Sequence, residues 1–154
     1  MKIKELLTEL KTRDSYKDFI QKYPKAYLCA GFFILGNDGD KLQLDYFIKD
    51  QQKITSFEYP FNTFILYKDK VESSNELDNL NLKVDLDNLK KTVKEKIGKD
   101  YPKIIAILKD NEWNITCLNG LEMQRLKIDA YTSEMTEKKK GLLTDFIKIQ
   151  PKKE

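Results

Sequence analysis

Tyr-Pro-Lys occurs twice in this chain, at residues 23–25 and 101–103 (an offset of 78), and each copy stands where a helical pattern stops and a strand pattern starts. Proline cannot continue a helix and pushes the residue before it toward extended backbone, so both copies act as the same punctuation. Ahead of the first, Ile3, Leu6, Leu7 and Leu10 recur at helical spacing and predict an amphipathic helix over residues 2–12. Asp14-Ser15, with Asp18 in the capping-box position, opens a second short helix carrying Tyr16, Phe19 and Ile20 on one face. After it come strands at Ala26 to Leu35, Leu42 to Ile48 and Ile54 to Tyr59, with Phe64 to Tyr67 a candidate fourth.

The second half repeats the order. Leu86, Leu89, Val93 and Ile97 mark a helix that Asp85 or Asp87 can cap and Gly98 can close. Strands follow at Ile104 to Leu108, Trp113 to Leu118 and Arg125 to Tyr131. The expected fold is α+β: two αβββ-type units, antiparallel sheet packed against helices. The expected divisions are an N-terminal unit at 1–67, a polar connector at 68–83, a C-terminal unit at 84–136 and a charged segment at 137–154. Beyond the Tyr-Pro-Lys marks, Phe32-Phe33-Ile34 matches Trp113-Asn114-Ile115, Gly39 matches Gly120, Phe47 matches Ile128 and Ile54 matches Met135, all at an offset of 81.

That alignment leaves a conflict. Alternation puts Leu126, Ile128 and Ala130 on a core face and Arg125, Lys127, Asp129 and Tyr131 toward water, yet the first-half equivalents of the polar set are Leu44, Tyr46 and Ile48. Either the register is off by one or the outer face of the first half is also covered, by the other half, the N-terminal helix or a separate molecule.

The chain has no histidine among its 154 residues. Ser/His/Asp and Cys/His nucleophile pairs and histidine-ligated zinc sites are therefore excluded, and catalysis would have to use carboxylates, lysine or tyrosine. Cys29 and Cys117 have no metal-ligand spacing and read as buried strand cysteines. Asn37-Asp38-Gly39-Asp40 lacks the ligand spacing of a calcium loop and reads as a tight turn. No cofactor or metal is called for.

A net charge of +3 with interleaved signs describes a solvated surface, and Arg13 and Arg125 are the only arginines. Specific nucleic-acid reading is not expected, since arginine supplies the bidentate contacts to phosphate and guanine. The lysine runs 138–140 and 152–153 are short enough to be exposed turns and ends. No stretch approaches the roughly 20 apolar residues of a membrane helix, and the charged start Met1-Lys2-Ile3-Lys4-Glu5 does not resemble a signal peptide. The expected location is the cytoplasm.

The segment from Trp113 to Met135, closing in Asp129-Ala130-Tyr131-Thr132-Ser133-Glu134, resembles the second half of a PepSY-like domain. In that family an aromatic-led strand, a turn and a further strand end in a DAxTGE-type hairpin. Residues 84–136, about a third of the chain, are covered; Ser133 stands where the family has glycine. The chain also looks like uncharacterised small archaeal-type proteins with the same closing pattern. The resemblance implies a non-catalytic module that inhibits or regulates proteases, and it brings no catalytic motif.

Trp113 reads as a core anchor, with ligand stacking the alternative. Tyr46, Tyr59, Tyr67 and Tyr131 would form a base-stacking platform only beside a positive groove. Asp129 with Glu134, and Asp45 with Asp50, read as turn formers. Lys25 and Lys103 carry no sign of the burial that would activate them. The function expected first is a non-enzymatic protein- or peptide-binding module, acting as a monomer or homodimer through its sheet face or edges, with Leu44, Tyr46, Ile48 and Tyr131 as binding residues. The alternative is a small-molecule binder with an apolar pocket between sheet and helices.

Overall fold

A computed structural model of the chain describes residues 1–142. Helices α1 (Ile3–Lys11) and α2 (Asp14–Lys22) precede strands β1 (Tyr27–Gly36), β2 (Lys41–Ile48), β3 (Lys53–Glu58) and β4 (Phe64–Leu66). A 3-10 turn (Leu86–Asn88) and helix α3 (Leu89–Ile97) precede β5 (Lys103–Lys109), β6 (Glu112–Asn119), β7 (Glu122–Asp129) and β8 (Met135–Leu142). All eight strands join one antiparallel sheet in the order β4-β3-β2-β1-β5-β6-β7-β8. Two four-stranded meanders therefore meet at β1 and β5, where Phe33 stands opposite Ala106 and Ile34 opposite Ile105.

The helices share one side of this sheet. Ile3, Leu6 and Leu10 of α1, Phe19 of α2, and Leu89 and Val93 of α3 form a single buried cluster with Phe33, Leu44, Phe57, Leu108, Trp113, Ile115, Leu126 and Ile128 of the strands. Each helix supplies its apolar stripe and the inner strands their alternate residues, so the core is one layer between helices and sheet. Trp113 is fully buried and its indole Nε1 donates to the Val84 carbonyl at 2.8 Å, the anchor role read from its strand position. The two cysteines are separate buried thiols, also as read.

Helix ends follow the sequence with one exception. Gly98 closes α3 at φ 72°, a left-handed conformation that glycine adopts without a Cβ clash. Asp85 Oδ1 accepts the Leu86 amide at 2.7 Å to start the 3-10 turn. The expected Asp14-Ser15 cap with Asp18 does not form: Arg13 occupies the N-cap position, Asp14 lies in the first turn, and Ser15 Oγ donates to the Phe61 carbonyl at 2.6 Å. Asp14 still suits the positive end of the helix.

Strand placement corrects two expectations. Met135–Leu142 is a strand paired to β7, although Thr136 to Lys140 carry no apolar alternation; its ladder to Glu122–Ile128 defines it. Each half thus contains four strands in place of three. The offset of 81 also joins unlike strands: Phe32 lies in β1 but Trp113 in β6, and Phe47 lies in β2 but Ile128 in β7. The face conflict disappears with it, because Leu44, Tyr46 and Ile48 point to the helices and Gln43, Asp45 and Phe47 to the opposite side. Residues 143–154, including the Lys152-Lys153 run and most of the charged segment, lie outside the described residues.

The connector is extended and tied down. Val71 donates its amide to Gln52 and packs on Cys29, Ala30 and Phe47 on the side away from the helices. Leu77 donates to the Leu28 carbonyl, and Lys83 and Val84 both donate to Ala130, so the chain passes from one side of the sheet to the other around its end.

Candidate functional site

The four residues proposed from sequence as a binding surface do not form one. Leu44, Tyr46 and Ile48 are 1, 3 and 3 % exposed and lie under α1 and α2. The Tyr46 ring packs edge-on against Tyr16, Phe19 and Phe57 at 5.6–5.9 Å, and burial pushes its phenol well above the ordinary tyrosine range. Tyr131 is half-buried at the far end of β7, where its hydroxyl donates to the Asn79 carbonyl at 2.6 Å. Alternation grouped Leu44, Tyr46 and Ile48 on one face correctly; the offset then assigned that face to the wrong side. Tyr59 and Tyr67, by contrast, are exposed near β4 and do not meet Tyr46 or Tyr131.

The side of the sheet away from the helices has an apolar centre. Phe32 stands opposite Ile107, and Ile34 opposite Ile105, across the β1–β5 seam. Phe32, Ile34 and Ile105 are half-buried, and Ile107 is 37 % exposed. Polar residues flank this stripe on neighbouring strands in register: Gln43 and Lys41 pair with Phe32 and Ile34, while Asn114 and Thr116 pair with Ile107 and Ile105. Further out, Lys127 faces Glu137 and Arg125 faces Lys139. The β5–β8 part of this face is concave, a groove of about 270 Å³ between Ile105, Ile107, Thr116, Arg125 and Lys139.

Sequence reasoning passed over this stripe because Ala26 to Leu35 and Ile104 to Leu108 are near-continuous apolar runs with no alternation to assign a face. The available signal was the run itself, since a strand apolar on both sides has both sides to cover. The helices cover one.

Beside the stripe lies a compact polar group. Asp45 Oδ1 accepts from Ser56 Oγ at 2.6 Å and from Gln43 Nε2 at 2.9 Å. Burial raises the Asp45 carboxyl above its ordinary value, against the opposing effect of these two donors. Burial likewise pushes the Cys29 thiol up to about 11 and the Cys117 thiol up to about 12, so both are protonated and unreactive at neutral pH. Tyr101, whose hydroxyl lies 2.9 Å from both Glu122 Oε1 and Gln124 Oε1, is pushed up to about 12 by burial and by that carboxylate. Among the described residues no group of three or more cysteine, aspartate or glutamate side chains is gathered to hold a metal ion.

The closing turn after β7 is made by its own side chains. Asp129 Oδ1 accepts the amides of Tyr131 and Thr132 at 2.8 and 2.9 Å, Thr132 Oγ1 accepts that of Glu134, and Ser133 takes φ 70°. Asp129 forms the turn with its side chain, whereas Glu134 takes part through its backbone, its carbonyl accepting the Asp129 amide at 2.8 Å. Asp45 and Asp50 are not a pair either: Asp45 faces Ser56 in the ladder, and Asp50 lies in the β2–β3 turn. In the 37–40 turn, Asp40 Oδ1 accepts the Gly36 amide at 3.1 Å.

No protein-family model matches the chain, and no curated protein matches it. Among solved structures, it is similar to a candidate lipoprotein of Clostridium difficile 630, with a TM-score of 0.50 and 11 % sequence identity over 83 % of this chain and 91 % of that one. At that identity the likeness concerns the fold, which is α+β with a large antiparallel sheet. No helix among the described residues is long and apolar enough to cross a membrane.

Proposed function

We propose that this chain is a non-enzymatic binding module that takes a protein or peptide partner on the helix-free face of its sheet. The observation that carries this reading is the Phe32/Ile34/Ile105/Ile107 stripe at the centre of the eight-stranded sheet, bordered by polar and charged residues. An apolar centre with a polar rim is the anatomy of a protein interface, in which a few central anchors carry most of the energy. The site differs from the Leu44/Tyr46/Ile48 surface expected from sequence, but the mode of action is the same.

Three finer readings go with this proposal. The first is that each half is an αβββ-type unit with a strand added, the two meeting at β1 and β5. The second is a PepSY-like second half with protease-regulating use; the Asp129/Thr132 turn with left-handed Ser133 is the local feature that favours it. The third is a cytoplasmic location. A pocket between sheet and helices is less favoured, since Phe19, Phe33, Phe57, Leu89 and Trp113 fill that layer.

The test is affinity capture of the tagged protein from nuclease-treated native lysate, followed by titration of the purified partner against wild type, Phe32→Ser and Ile107→Lys. The reading expects saturable binding to wild type and at least a tenfold loss in both variants, the size of a lost central anchor. A partner whose affinity is unchanged by either substitution removes the face from consideration.

A further inference from the structure

The two edges of the sheet are built on opposite principles. Edge strand β8 carries Glu137, Lys138, Lys139 and Lys140, all exposed, and lysine along an edge opposes the approach of another strand. Edge strand β4 is Phe64-Ile65-Leu66, followed by Tyr67, with no charge in the four positions. These side chains are 36, 53, 38 and 44 % exposed. An apolar edge left bare is an invitation to strand pairing, which proteins ordinarily blunt.

The backbone of β4 is also poised. Ile65 stands opposite Ser56 and Leu66 opposite Thr55, and the Tyr67 amide donates to the Ile54 carbonyl at 3.0 Å. In an antiparallel ladder, residues alternate between bonding inward and outward, so Ile65 and Tyr67 bond to β3 while the N–H and C=O groups of Phe64 and Leu66 face outward.

We propose that the chain forms a two-fold homodimer by antiparallel pairing of β4 with β4 of a second copy, with Ile65 opposite its counterpart. This register engages both outward-facing residues, Phe64 exchanging two hydrogen bonds with Leu66 of the other copy and the reverse. It sets Lys68 opposite Asn62 and Asp69 opposite Phe61, so no charge meets its own copy. Pairing β4 with β8 of another molecule is a head-to-tail contact that builds rings or open filaments, and the lysine edge opposes it. Isologous pairing closes after two copies and joins the two sheets into one.

Sedimentation of the full chain over a micromolar to sub-millimolar concentration series tests this, with the folded state of each variant checked by thermal melting. The expected result is a mass rising toward twice 18.2 kDa for wild type and remaining at 18.2 kDa for Ile65→Lys. Facing residues of a non-hydrogen-bonded pair have Cα atoms about 4.5 Å apart, within disulfide reach. Ile65→Cys is therefore expected to oxidise to a covalent dimer at least tenfold faster than Ile107→Cys, an exposed position off the edge; both native thiols are buried. A wild type that stays monomeric, a dimer that survives Ile65→Lys, or equal cross-linking rates at the two positions overturns the proposal. If Ile65→Lys melts early, the cross-linking comparison decides alone.

Discussion

Asp85 Oδ1 accepts the backbone amide of Ile3 at 2.9 Å, across 82 residues of sequence, while it also accepts the amide of Leu86 at 2.7 Å. One carboxylate thus serves the first turns of two helical elements, one from each half, while Glu5 of α1 accepts the Lys2 amide at 2.7 Å. Helix N-termini leave amides without intrahelical partners, and an anionic acceptor meets both that need and the positive end of the helix dipole.

Removing this acceptor with Asp85→Ala is expected to lower stability by about 1–3 kcal/mol, the range of a lost cap combined with buried amides left unpaired. Asp85→Asn keeps an oxygen at the same place and should recover part of the loss. Urea unfolding of the three proteins measures it; equal midpoints for wild type and Asp85→Ala would show that the contact carries no weight.

Much of this arrangement was legible in the sequence. The Tyr-Pro-Lys marks, the apolar stripes of the helices and the alternation in β6 and β7 gave element order, fold class and the burial of Trp113. The unread parts have physical causes. β8 is held by its ladder to β7 and not by apolar alternation, so Thr136 to Lys140 carry no strand signal. The Asp85–Ile3 contact depends on how the halves meet, which local pattern does not encode. The Leu44/Tyr46/Ile48 face was placed on the wrong side because an offset taken across unlike strands assigned it, and continuous apolar runs in β1 and β5 name no side of their own.

Thr55 is fully buried on β3, and its hydroxyl has no hydrogen-bond partner. A buried hydroxyl without a partner carries a desolvation cost of about 1–3 kcal/mol, and valine has nearly the same shape without it. Thr55→Val should raise the urea midpoint at unchanged slope. A lower midpoint would mean that the hydroxyl is satisfied in solution.

Two carboxylates give pH dependences of opposite sign. Asp129 is held below the usual range by the Thr132 and Tyr131 amides, so its contribution is present above the unfolded pKa and lost as pH falls through the folded value. Asp45 is raised by burial, so stability is present below its unfolded pKa and lost as pH rises through the folded value. Against pH, wild type should gain on Asp129→Asn between acid and neutral conditions and lose ground to Asp45→Asn over the carboxylate range. Parallel curves for either pair would contradict the assignment.

The two sides of the sheet should respond differently to substitution. Tyr46 is enclosed by the rings of Tyr16, Phe19 and Phe57, so Tyr46→Ala opens a cavity in the core and is expected to cost about 3–5 kcal/mol. Ile107 is 37 % exposed, and Ile107→Ser is expected to cost about 1–2 kcal/mol, because part of the side chain already meets water. A loss of binding in Tyr46→Ala would therefore report unfolding, whereas a loss in Ile107→Ser with the fold retained would report the face itself. Paired melting and binding measurements separate the two. If Ile107→Ser proves as destabilising as Tyr46→Ala, the helix-free side is covered in solution, and the partner that covers it belongs to the folded unit.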